Sequence, residues 1–412
     1  MRVIHVVTAW PRHAEDPITP WLVALVRRQR AEGLDASVLA PTYRGGPEAE
    51  PTALPVHRFR YAPARLETLT HDETVPDRLR RSPLHGLLVP PYMLGGVLAA
   101  RRVGRRSAPD VVHVHWPMPH AVFGAALRRG SGGRTAVVSS YYSVEIHWIR
   151  ARLPLLLPFL RWTARTADEV TAISSSTGAA IRSLVDRPVT VIPYGAALAD
   201  DGGQPARAAL SGPHDEPVRV LFVGRLVERK GVEVLVQAIA EGRGSFGRPV
   251  ELRIVGTGEW RPTIAAAIEA ANLGASASRA VLLGRLSDAD LRREYEAADI
   301  FVLPAVRDAK GDTEGLGVVL LEALRFERPV IGSDIGGIPD IIRPGETGLL
   351  CPPGQPRALA AAIDELIRDP ERARELARRG RSRAAESFGW EGVMAATTAA
   401  YRRAIDNRRA GR

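Results

Sequence analysis

Short apolar runs alternate along the chain with longer segments in which apolar residues recur every three or four positions. In the first half the apolar runs predict strands at 3–7, 36–40, 111–115, 135–140, 169–174 and 189–193. A second series predicts strands at 218–223, 250–255, 280–284, 299–304 and 329–333. Because strands that are apolar throughout must be covered on both faces, we expect parallel sheets with helices on each side.

The first helix carries recognisable start and stop signals. Thr19 is a suitable cap, Pro20 fits the first helical position, and Gly33 ends the periodic segment. We therefore predict a helix that begins at Pro20 and stops before Gly33.

A change of composition divides the two series. Residues 196–217 are rich in Gly, Pro, Ala and Asp and lack a strong apolar period, which is typical of a linker. A chain of 412 residues also favours two domains. The predicted boundaries are a first Rossmann-like domain at 1–196, a linker at 197–217, a second such domain at 218–385 and a terminal helix at 386–412. Two doubly wound domains in tandem are expected to face each other across a cleft, with ligands beyond the carboxyl ends of the strands.

Charge and cysteine content narrow the function classes. The net charge is +10, but only Lys230 and Lys310 among the 56 basic residues are lysines, and arginines are spread along the whole chain. This distribution favours a solvated basic surface over a nucleic-acid site. The single Cys351 excludes an internal disulfide and cysteine-based metal sites. The first residues are typical of a buried strand and not of a leader, and the pattern shows no span of membrane length, so we predict a cytoplasmic protein.

Two cations lie in the loop after the strand at 218–223. Gly224 and Arg225 begin this loop, and Lys230 and Gly231 end it. A planar guanidinium and a compact ammonium together suit the two phosphoryl groups of a diphosphate. A solvent-exposed basic turn is the alternative.

A second candidate element is the segment EGLGVVLLE, which runs from Glu314 to Glu322. Gly315 and Gly317 lie at a predicted helix start, where bare N–H groups and the helix dipole bind anions. Eight residues of helix rise about 12 Å, a length comparable with a sugar and its phosphates. We expect each carboxylate to accept hydrogen bonds from hydroxyl groups at one end of such a ligand.

These residues resemble the retaining GT-B glycosyltransferases of family 4, which carry an E-x7-E motif. FVGRLVERKG is similar to that family's phosphate loop, and the run from Asp299 to Gly354 is similar to its C-terminal signature. In the first half PDVVHVHWPMPHA, ADEVTAIS and VTVIPYGA also correspond. The resemblance covers nearly the whole chain and implies the GT-B fold, with the terminal helix crossing back onto the first domain.

The resemblance also implies roles for particular residues. Arg225, Lys230 and Glu314 would act on the diphosphate and the transferred sugar, and His115 would lie near the reacting sugar. Glu322 would bind the ribose. The other residues implied to bind the donor are Gly224, Gly256, Gly258, Arg285, Gly315, Leu316 and Gly317. No metal or other cofactor is expected, and a nucleotide-diphosphate sugar is the implied donor.

Three departures from the family pattern lie in the first domain. The first strand–helix loop lacks a Gly-Gly pair, Tyr142 to Glu145 replace a His-Gly-x-Asp segment, and Tyr194 stands where relatives often have Asn. Tyr142, Glu145 and Tyr194 are the predicted acceptor-side residues. His113 and His115 face the same side of one strand. A structural role is the default for either histidine, and no third metal ligand is evident in the sequence.

We predict a retaining transferase that moves a hexosyl or N-acetylhexosaminyl group from a nucleotide sugar to a hydroxyl of a glycan, a glycolipid or a metabolite. An epimerase or phosphorylase on the same fold is the alternative, and a basic nucleic-acid-binding protein is a remote one. Residues 147–165 join an apolar run to flanking arginines. They fit either a peripheral contact with the inner face of a membrane, drawing a lipid-linked acceptor, or a helix buried against the core. The sequence leaves the sugar, the base, the acceptor and the oligomeric state open.

Overall fold

The computed structural model of the chain describes residues 1–13, 16, 18–47, 49–72, 75–195, 208–213, 216–274 and 278–411. The chain forms two compact units. Unit 1 comprises residues 1–173, 177–195 and 393–412, and unit 2 comprises residues 174–176 and 196–392. The predicted linker falls largely on 197–207 and 214–215, which lie outside the described residues.

The described residues form thirteen strands and fifteen α-helices. The strands are β1 (Arg2–Val6), β2 (Asp35–Pro41), β3 (Val56–Phe59), β4 (Val111–His115), β5 (Ala136–Tyr141), β6 (Glu169–Ala172), β7 (Thr190–Val191), β8 (Val218–Val223), β9 (Val250–Val255), β10 (Arg279–Gly284), β11 (Ile300–Leu303), β12 (Val330–Ser333) and β13 (Leu349–Cys351). The helices are α1 (Pro20–Ala31), α2 (Val75–Arg81), α3 (Val89–Ser107), α4 (Pro117–Gly130), α5 (Val144–Arg152), α6 (Leu157–Arg165), α7 (Ser175–Arg182), α8 (Val232–Gly242), α9 (Arg261–Ala270), α10 (Asp288–Ala297), α11 (Val318–Arg325), α12 (Ile338–Ile341), α13 (Pro356–Arg368), α14 (Pro370–Phe388) and α15 (Trp390–Arg409).

Each unit contains one parallel sheet with the same strand order. The sheet of unit 1 runs β3-β2-β1-β4-β5-β6-β7, and the sheet of unit 2 runs β10-β9-β8-β11-β12-β13. Every pairing in both sheets is parallel. The strand order reverses between β1 and β4 and between β8 and β11, which are the positions where such sheets bind ligands. The predicted fold class of two doubly wound parallel sheets is confirmed.

The two faces of the unit 1 sheet are covered by different helices. On one face α3 packs so closely on α4 that a Cβ at Gly96 would lie 2.2 Å from the Phe123 ring, and one at Gly104 would lie 2.3 Å from the Leu127 carbonyl oxygen. On the other face α15 places Tyr401 among buried residues of β1, β4 and β5. Because both faces are covered, the apolar strands read in the sequence are buried on both sides.

The sequence predictions differ from the structure at a few positions. The strands β3 and β13 were not predicted, and both are short. The helix α1 begins at Pro20 as predicted, but Thr19 has a left-handed backbone and its side chain makes no capping hydrogen bond, so the predicted cap is wrong. The helix predicted to connect Glu314 with Glu322 begins only at Val318, because Gly317 has a φ of 95°.

Candidate active site

The loop after β8 carries the two cations that the sequence predicts to bind phosphate. After the strand ends at Val223, the chain passes Gly224 and Arg225 and forms a short 3₁₀ helix at Glu228–Lys230. Arg225 is exposed and has no side-chain partner among the described residues, whereas Lys230 is buried. The loop therefore presents one cation to solvent and holds the other inside.

Gly231 determines where this loop lies. Its φ is 65°, and a Cβ at this position would lie 1.9 Å from the carbonyl oxygen of Pro304, which directly follows β11. The Val306 N–H also donates to the carbonyl of Arg229 at 2.9 Å. The ends of β8 and β11, the two strands at the reversal of strand order, are therefore joined by close backbone contact.

This contact brings Lys230 to Glu314. The Lys230 Nζ lies 2.5 Å from the Glu314 Oε2, and both side chains are largely buried. A second cation, Arg229, places its Nη1 3.6 Å from the same carboxylate oxygen. Two predicted site residues from different strand ends thus form one buried ion pair.

The ion pair keeps Glu314 charged. Burial by itself would raise the pKa of Glu314, but the charges of Lys230 and Arg229 and the hydrogen bonds from Lys230 and the Leu316 N–H hold that pKa below its ordinary value. A carboxylate that stays ionised is an acceptor for hydroxyl groups and not a proton donor.

The backbone around Glu314 is clamped by the loop after β12. The Gly337 N–H donates to the Glu314 carbonyl at 3.1 Å, and a Cβ at Gly336 would lie 2.0 Å from that oxygen. Within the segment predicted to bind an anion, the Leu316 N–H is used by the Glu314 side chain. The N–H groups of Gly315 and Gly317 have no partner in the described part of the chain. They are the two amides left to meet an anion.

Glu322 lies on the inner side of α11, in a different environment from Glu314. The Tyr295 hydroxyl donates to the Glu322 Oε2 at 2.9 Å. Burial raises the pKa of Glu322 to about 7, against the opposing effects of the Tyr295 hydrogen bond and the charges of Arg325 and Lys230. Burial thus favours the protonated form of this carboxyl over a wider pH range than in an exposed glutamate.

The loops after β9 and β10 meet the loop after β8 through their glycines. A Cβ at Gly256 would lie 1.9 Å from the Gly224 carbonyl oxygen, and the Gly256 N–H donates to the Gly284 carbonyl at 2.8 Å. Gly258 lies equally close to Leu226, with a Cβ position 2.2 Å from its carbonyl oxygen. Arg285 extends from this region and is exposed, with no side-chain partner in the described ranges. Gly224, Gly256 and Gly258, which are predicted to bind the donor, therefore lie together at the carboxyl ends of β8 and β9.

In unit 1 His115 is fully buried, and both of its ring nitrogens are engaged. The Nδ1 lies 2.5 Å from the Tyr142 hydroxyl, and the Nε2 lies 2.9 Å from the Nδ1 of His5. The sequence prediction that His115 lies near a reacting sugar stays a prediction. In this structure the Tyr142 hydroxyl occupies the Nδ1 of His115.

The hydrogen bonds around His115 form a chain with a single direction. The Gln29 amide nitrogen donates to the Tyr401 hydroxyl at 3.0 Å, so the Tyr401 proton points to the Nδ1 of His113, 2.8 Å away. The Gln29 Oε1 accepts from the Nε2 of His5 at 2.7 Å. His5 must then accept at its Nδ1 from His115, and His115 must accept at its own Nδ1 from Tyr142.

Burial keeps these histidines neutral. It lowers the pKa of His5 to about 4, partly offset by the hydrogen bond with Gln29. Burial also holds the pKa values of His113 and His115 well below 6.5, and the neighbouring rings add to the effect. The chain is therefore an uncharged network whose proton positions are determined by Gln29 and Tyr401.

The same three histidines are the group best placed to hold a metal ion among the described residues. Their candidate ligand atoms lie within 4.8 Å of one another. His5 supplies the third ligand that the sequence did not reveal. However, all six ring nitrogens already have polar partners, which include Gln29, Ser140 and Tyr401. Hydrogen bonding accounts for the whole cluster.

The predicted acceptor-side residues lie beside this network. The rings of Tyr142 and Tyr194 stack with centroids 5.5 Å apart, and Trp21 packs 4.3 Å from Tyr194. Trp116 lies 4.6 Å from the Tyr142 ring. Glu145 acts locally, because its Oε1 accepts from the Tyr142 N–H at 2.8 Å. The four rings form a partly exposed aromatic cluster.

Sequence reasoning missed several of the residues that support these sites. They are His5, Gln29 and Tyr401 in unit 1, and Arg229 and Tyr295 in unit 2. A signal existed for His5, which is a polar residue inside a buried strand and lies opposite His113 in the β1–β4 register. Tyr401 and Tyr295 gave no such signal, since their partners are remote in sequence.

Comparison with known proteins places both units in one family. The profile of the "Glycosyltransferase Family 4" matches residues 21–200, and that of the "Glycosyl transferases group 1" matches residues 207–383. A GDP-mannose-dependent α-(1-6)-phosphatidylinositol monomannoside mannosyltransferase from Mycolicibacterium smegmatis is 32% identical over 308 residues, which cover 72% of this chain and 78% of the relative. A D-inositol 3-phosphate glycosyltransferase from Kineococcus radiotolerans is 34% identical over 272 residues, covering 60% of this chain and 59% of the relative.

Solved structures give the same fold. A sucrose-phosphate synthase from Thermosynechococcus elongatus has a TM-score of 0.72 at 22% identity, covering 98% of this chain and 99% of the other. Anabaena HepE in complex with UDP-glucose has a TM-score of 0.67 at 18% identity, covering 97% and 99%. The sequence and structural matches together confirm the predicted GT-B fold and the transferase class. The chain belongs to the group 1 glycosyltransferases of glycosyltransferase family 4.

Proposed function

We propose that this glycosyltransferase moves a hexosyl or N-acetylhexosaminyl group from a nucleotide-diphosphate sugar to an acceptor hydroxyl, with retention of the anomeric configuration. The observation that carries the proposal is the buried ion pair of Lys230 and Glu314. It lies where the strand order of unit 2 reverses, and Lys230 shares its loop with Arg225, whose guanidinium has no partner among the described residues. A buried cation, an exposed cation and an ionised carboxylate together match a diphosphate and the hydroxyls of a sugar.

In this proposal Lys230 and Arg225 bind the diphosphate. As the bond to the sugar breaks, negative charge grows on the departing phosphate, and prearranged cations stabilise that change without reorganising. Lys230 is prearranged by Glu314, whereas Arg225 is free to close on the ligand. The N–H groups of Gly315 and Gly317, which no described residue engages, provide further donors for the distal phosphate.

The two carboxyl groups take different parts. Glu314 is held ionised and accepts hydrogen bonds from hydroxyls of the transferred sugar. Glu322 binds the ribose hydroxyls, for which it has one carboxyl oxygen beyond the one that Tyr295 occupies. A pKa of about 7 allows this group to release its proton when hydroxyl donors replace water.

Relatives and structural neighbours support a nucleotide-sugar donor without fixing its identity. One neighbour is described in complex with UDP-glucose, and one relative is named GDP-mannose-dependent. Another relative, from Bacillus anthracis, is named an N-acetyl-α-D-glucosaminyl L-malate synthase. Because these names differ in base, sugar and acceptor, the proposal stops at the class of donor and at a hydroxyl of a glycan, glycolipid or metabolite.

We propose that the transfer is independent of metal ions. Lys230 and Arg225 supply the positive charge that a divalent cation provides to a diphosphate elsewhere. In a retaining transfer the departing phosphate oxygen and the acceptor oxygen lie on the same face of the sugar. The phosphate can then take the acceptor's proton, and no side-chain base is required.

The proposal is tested by screening the protein against a panel of nucleotide sugars by thermal shift, then assaying the stabilising donor with acceptors in EDTA. Proton NMR of the product reads the anomeric configuration. We expect stabilisation by one donor family and a product of unchanged configuration that forms only with acceptor. A product of inverted configuration would refute the retaining mechanism. Dependence on added Mg²⁺ would refute metal independence, and an epimerised donor formed without acceptor would refute the transfer reaction.

A further inference from the structure

One surface of unit 1 exposes several large apolar side chains. Leu84 and Leu87, in the 3₁₀ helix Pro83–Leu88, are 77% and 76% exposed, and Leu94 and Leu98 of α3 are 61% and 54% exposed. Single exposed leucines are ordinary, but four within fifteen residues form a patch of the kind that marks an interaction surface.

The helix α3 has a clear inner and outer side. Its buried residues are Tyr92, Gly96, Ala100, Val103 and Gly104, which contact the rest of unit 1. At 100° per residue the opposite side carries Leu94, Leu98, Arg101 and Arg105. The outer stripe is thus apolar in its first half and basic in its second.

By length and composition alone, Pro83–Ser107 could cross a membrane, which the sequence pattern had not indicated. Its packing argues otherwise. Gly96 and Gly104 allow α3 to lie against α4 at backbone contact distance, so the inner side of the helix is part of the unit's covering layer. Only the outer stripe is available to a partner.

The patch continues across the neighbouring helices. A groove is lined by Val97 and Arg101 of α3, by Val122 and Arg129 of α4, and by Phe159 and Trp162 of α6. The sequence analysis also singled out the segment 147–165. This segment is only partly exposed, because Ile149 and Leu160 are buried whereas Leu155 is 91% exposed. The apolar part of the surface is therefore centred on α3.

The charged residues of α3 have one sign. The helix contains four arginines, Arg101, Arg102, Arg105 and Arg106, and no carboxylate. The arginines with no ion pair or side-chain hydrogen bond to any described residue include Arg101, Arg102, Arg105, Arg106 and Arg129, and all five are exposed or outward. A cluster of guanidinium groups without partners among the described residues, placed beside exposed leucines, is suited to a partner that is both anionic and apolar.

We propose that the surface formed by Leu84, Leu87, Leu94, Leu98, Arg101 and Arg105, here called the α3 face, binds the surface of an anionic lipid bilayer. Leucines enter the boundary between headgroups and acyl chains, while the arginines contact lipid phosphates. A second copy of the chain is disfavoured as the occupant, because two α3 faces would bring like charges together. This inference concerns a partner of the enzyme and does not depend on the proposed reaction.

The experiment is co-sedimentation of the full chain with sonicated vesicles of phosphatidylcholine alone or with 30% phosphatidylglycerol. We expect binding to the anionic vesicles, little binding to the neutral ones, and weakening by salt because exposed charges are screened. The double variants Leu94→Gln/Leu98→Gln and Arg101→Gln/Arg105→Gln should each reduce partitioning by about tenfold or more. All four side chains are outward, so the fold should persist, and circular dichroism checks this.

The matched control is Arg402→Gln/Arg409→Gln, which removes the same charge from α15 on the opposite side of the unit 1 sheet. It should leave partitioning nearly unchanged. If the control weakens binding as much as the Arg101/Arg105 variant, the attraction comes from net charge and the α3 face is not the site. Absence of sedimentation with anionic vesicles at low salt would overturn the proposal. It would also be overturned if light scattering showed a dimer that the leucine variant dissociates while vesicle binding persists.

Discussion

Lys230 and Glu314 are 84 positions apart in the sequence, and their side chains meet at 2.5 Å. They are brought together because β8 and β11 are neighbours in the sheet, although the five elements α8, β9, α9, β10 and α10 separate them in sequence. The ion pair has two consequences. It fixes the ammonium in one position, and it keeps a buried carboxylate ionised.

Replacing Lys230 by Ala should lower both turnover and stability. We expect turnover to fall by about 10²-fold, the usual cost of losing one prearranged donor to a developing negative charge. The free energy of unfolding should fall by about 1–3 kcal/mol, since the Glu314 carboxylate loses a charged partner in a buried position. Steady-state kinetics and urea denaturation measure the two effects. The double variant Lys230→Met/Glu314→Gln removes both charges and should recover stability without activity. Recovery of activity in it would contradict the catalytic role.

Replacing Arg225 by Ala should separate function from stability. The side chain is exposed and has no partner among the described residues, so the melting temperature should not change. Turnover should still fall by about 10²-fold if the guanidinium closes on the diphosphate. Arg357→Ala is the matched control, because that side chain is 94% exposed and makes only a 3.5 Å surface pair. Equal turnover in the two variants would remove Arg225 from the phosphate-binding site.

Glu322 should show opposite effects on stability and on binding. Its pKa is raised to about 7 in the folded protein by burial, so stability attributable to this group is full below its ordinary pKa of 4.5 and is lost as pH rises through 7. The isosteric Glu322→Gln keeps an acceptor for Tyr295 and avoids the buried anion. At pH 8 it should be more stable than the wild type by about 3 kcal/mol or less, a margin that vanishes near pH 4.5.

Both Glu322→Gln and Glu322→Ala should weaken nucleotide binding measured by calorimetry, because the contact with the ribose is altered in the first variant and lost in the second. Unchanged affinity in Glu322→Ala would remove the ribose assignment. A stability margin that does not depend on pH would instead contradict the titration of this carboxyl.

Two tyrosines at different points of the unit 1 network test the part played by His115. Tyr401→Phe leaves the Gln29 amide and the His113 Nδ1 without their shared partner, and should cost about 1–3 kcal/mol of stability while sparing turnover. Tyr142→Phe removes the donor to His115 at the partly exposed aromatic cluster, and should lower turnover more than stability. If both variants lose stability alone, and His115→Ala retains full activity with the natural substrates, the network is purely structural.

The buried histidines should make stability depend on pH between 6.5 and 4. An unfolded histidine binds a proton near pH 6.5, but burial lowers the pKa of His5 to about 4 and holds those of His113 and His115 well below 6.5. Their contribution is therefore complete above pH 6.5 and is lost as pH falls toward 4. Urea denaturation across this range should show the decrease. The NMR ring signals of His5, His113 and His115 should remain those of the neutral form at pH 5.5, and protonated signals from these three residues would contradict the buried network.

The pattern of apolar runs predicted most of the strands and the fold class. Strands buried on both faces are largely apolar, so β1, β4, β8, β9 and β11 are recognisable without any knowledge of their neighbours. Short edge strands such as β3 and β13 are less apolar or too brief to give that signal. The end of α1 before Gly33 could also be predicted from the local sequence. The capping role of Thr19 could not, since the left-handed backbone there depends on the loop before it.

The motifs located the candidate active site because chemistry concentrates charged and glycine residues after strands. They did not determine what those residues contact. The tertiary structure pairs Lys230 with Glu314 and brings the Tyr295 hydroxyl to Glu322. It also places Gln29 and Tyr401 where they orient the three buried histidines. All of these contacts depend on strand order and helix packing. The sequence by itself determined which charged and glycine residues the chain carries and which strands they follow. Only the tertiary structure decided which of them are buried together, and burial next to particular neighbours sets their charge and their hydrogen bonds.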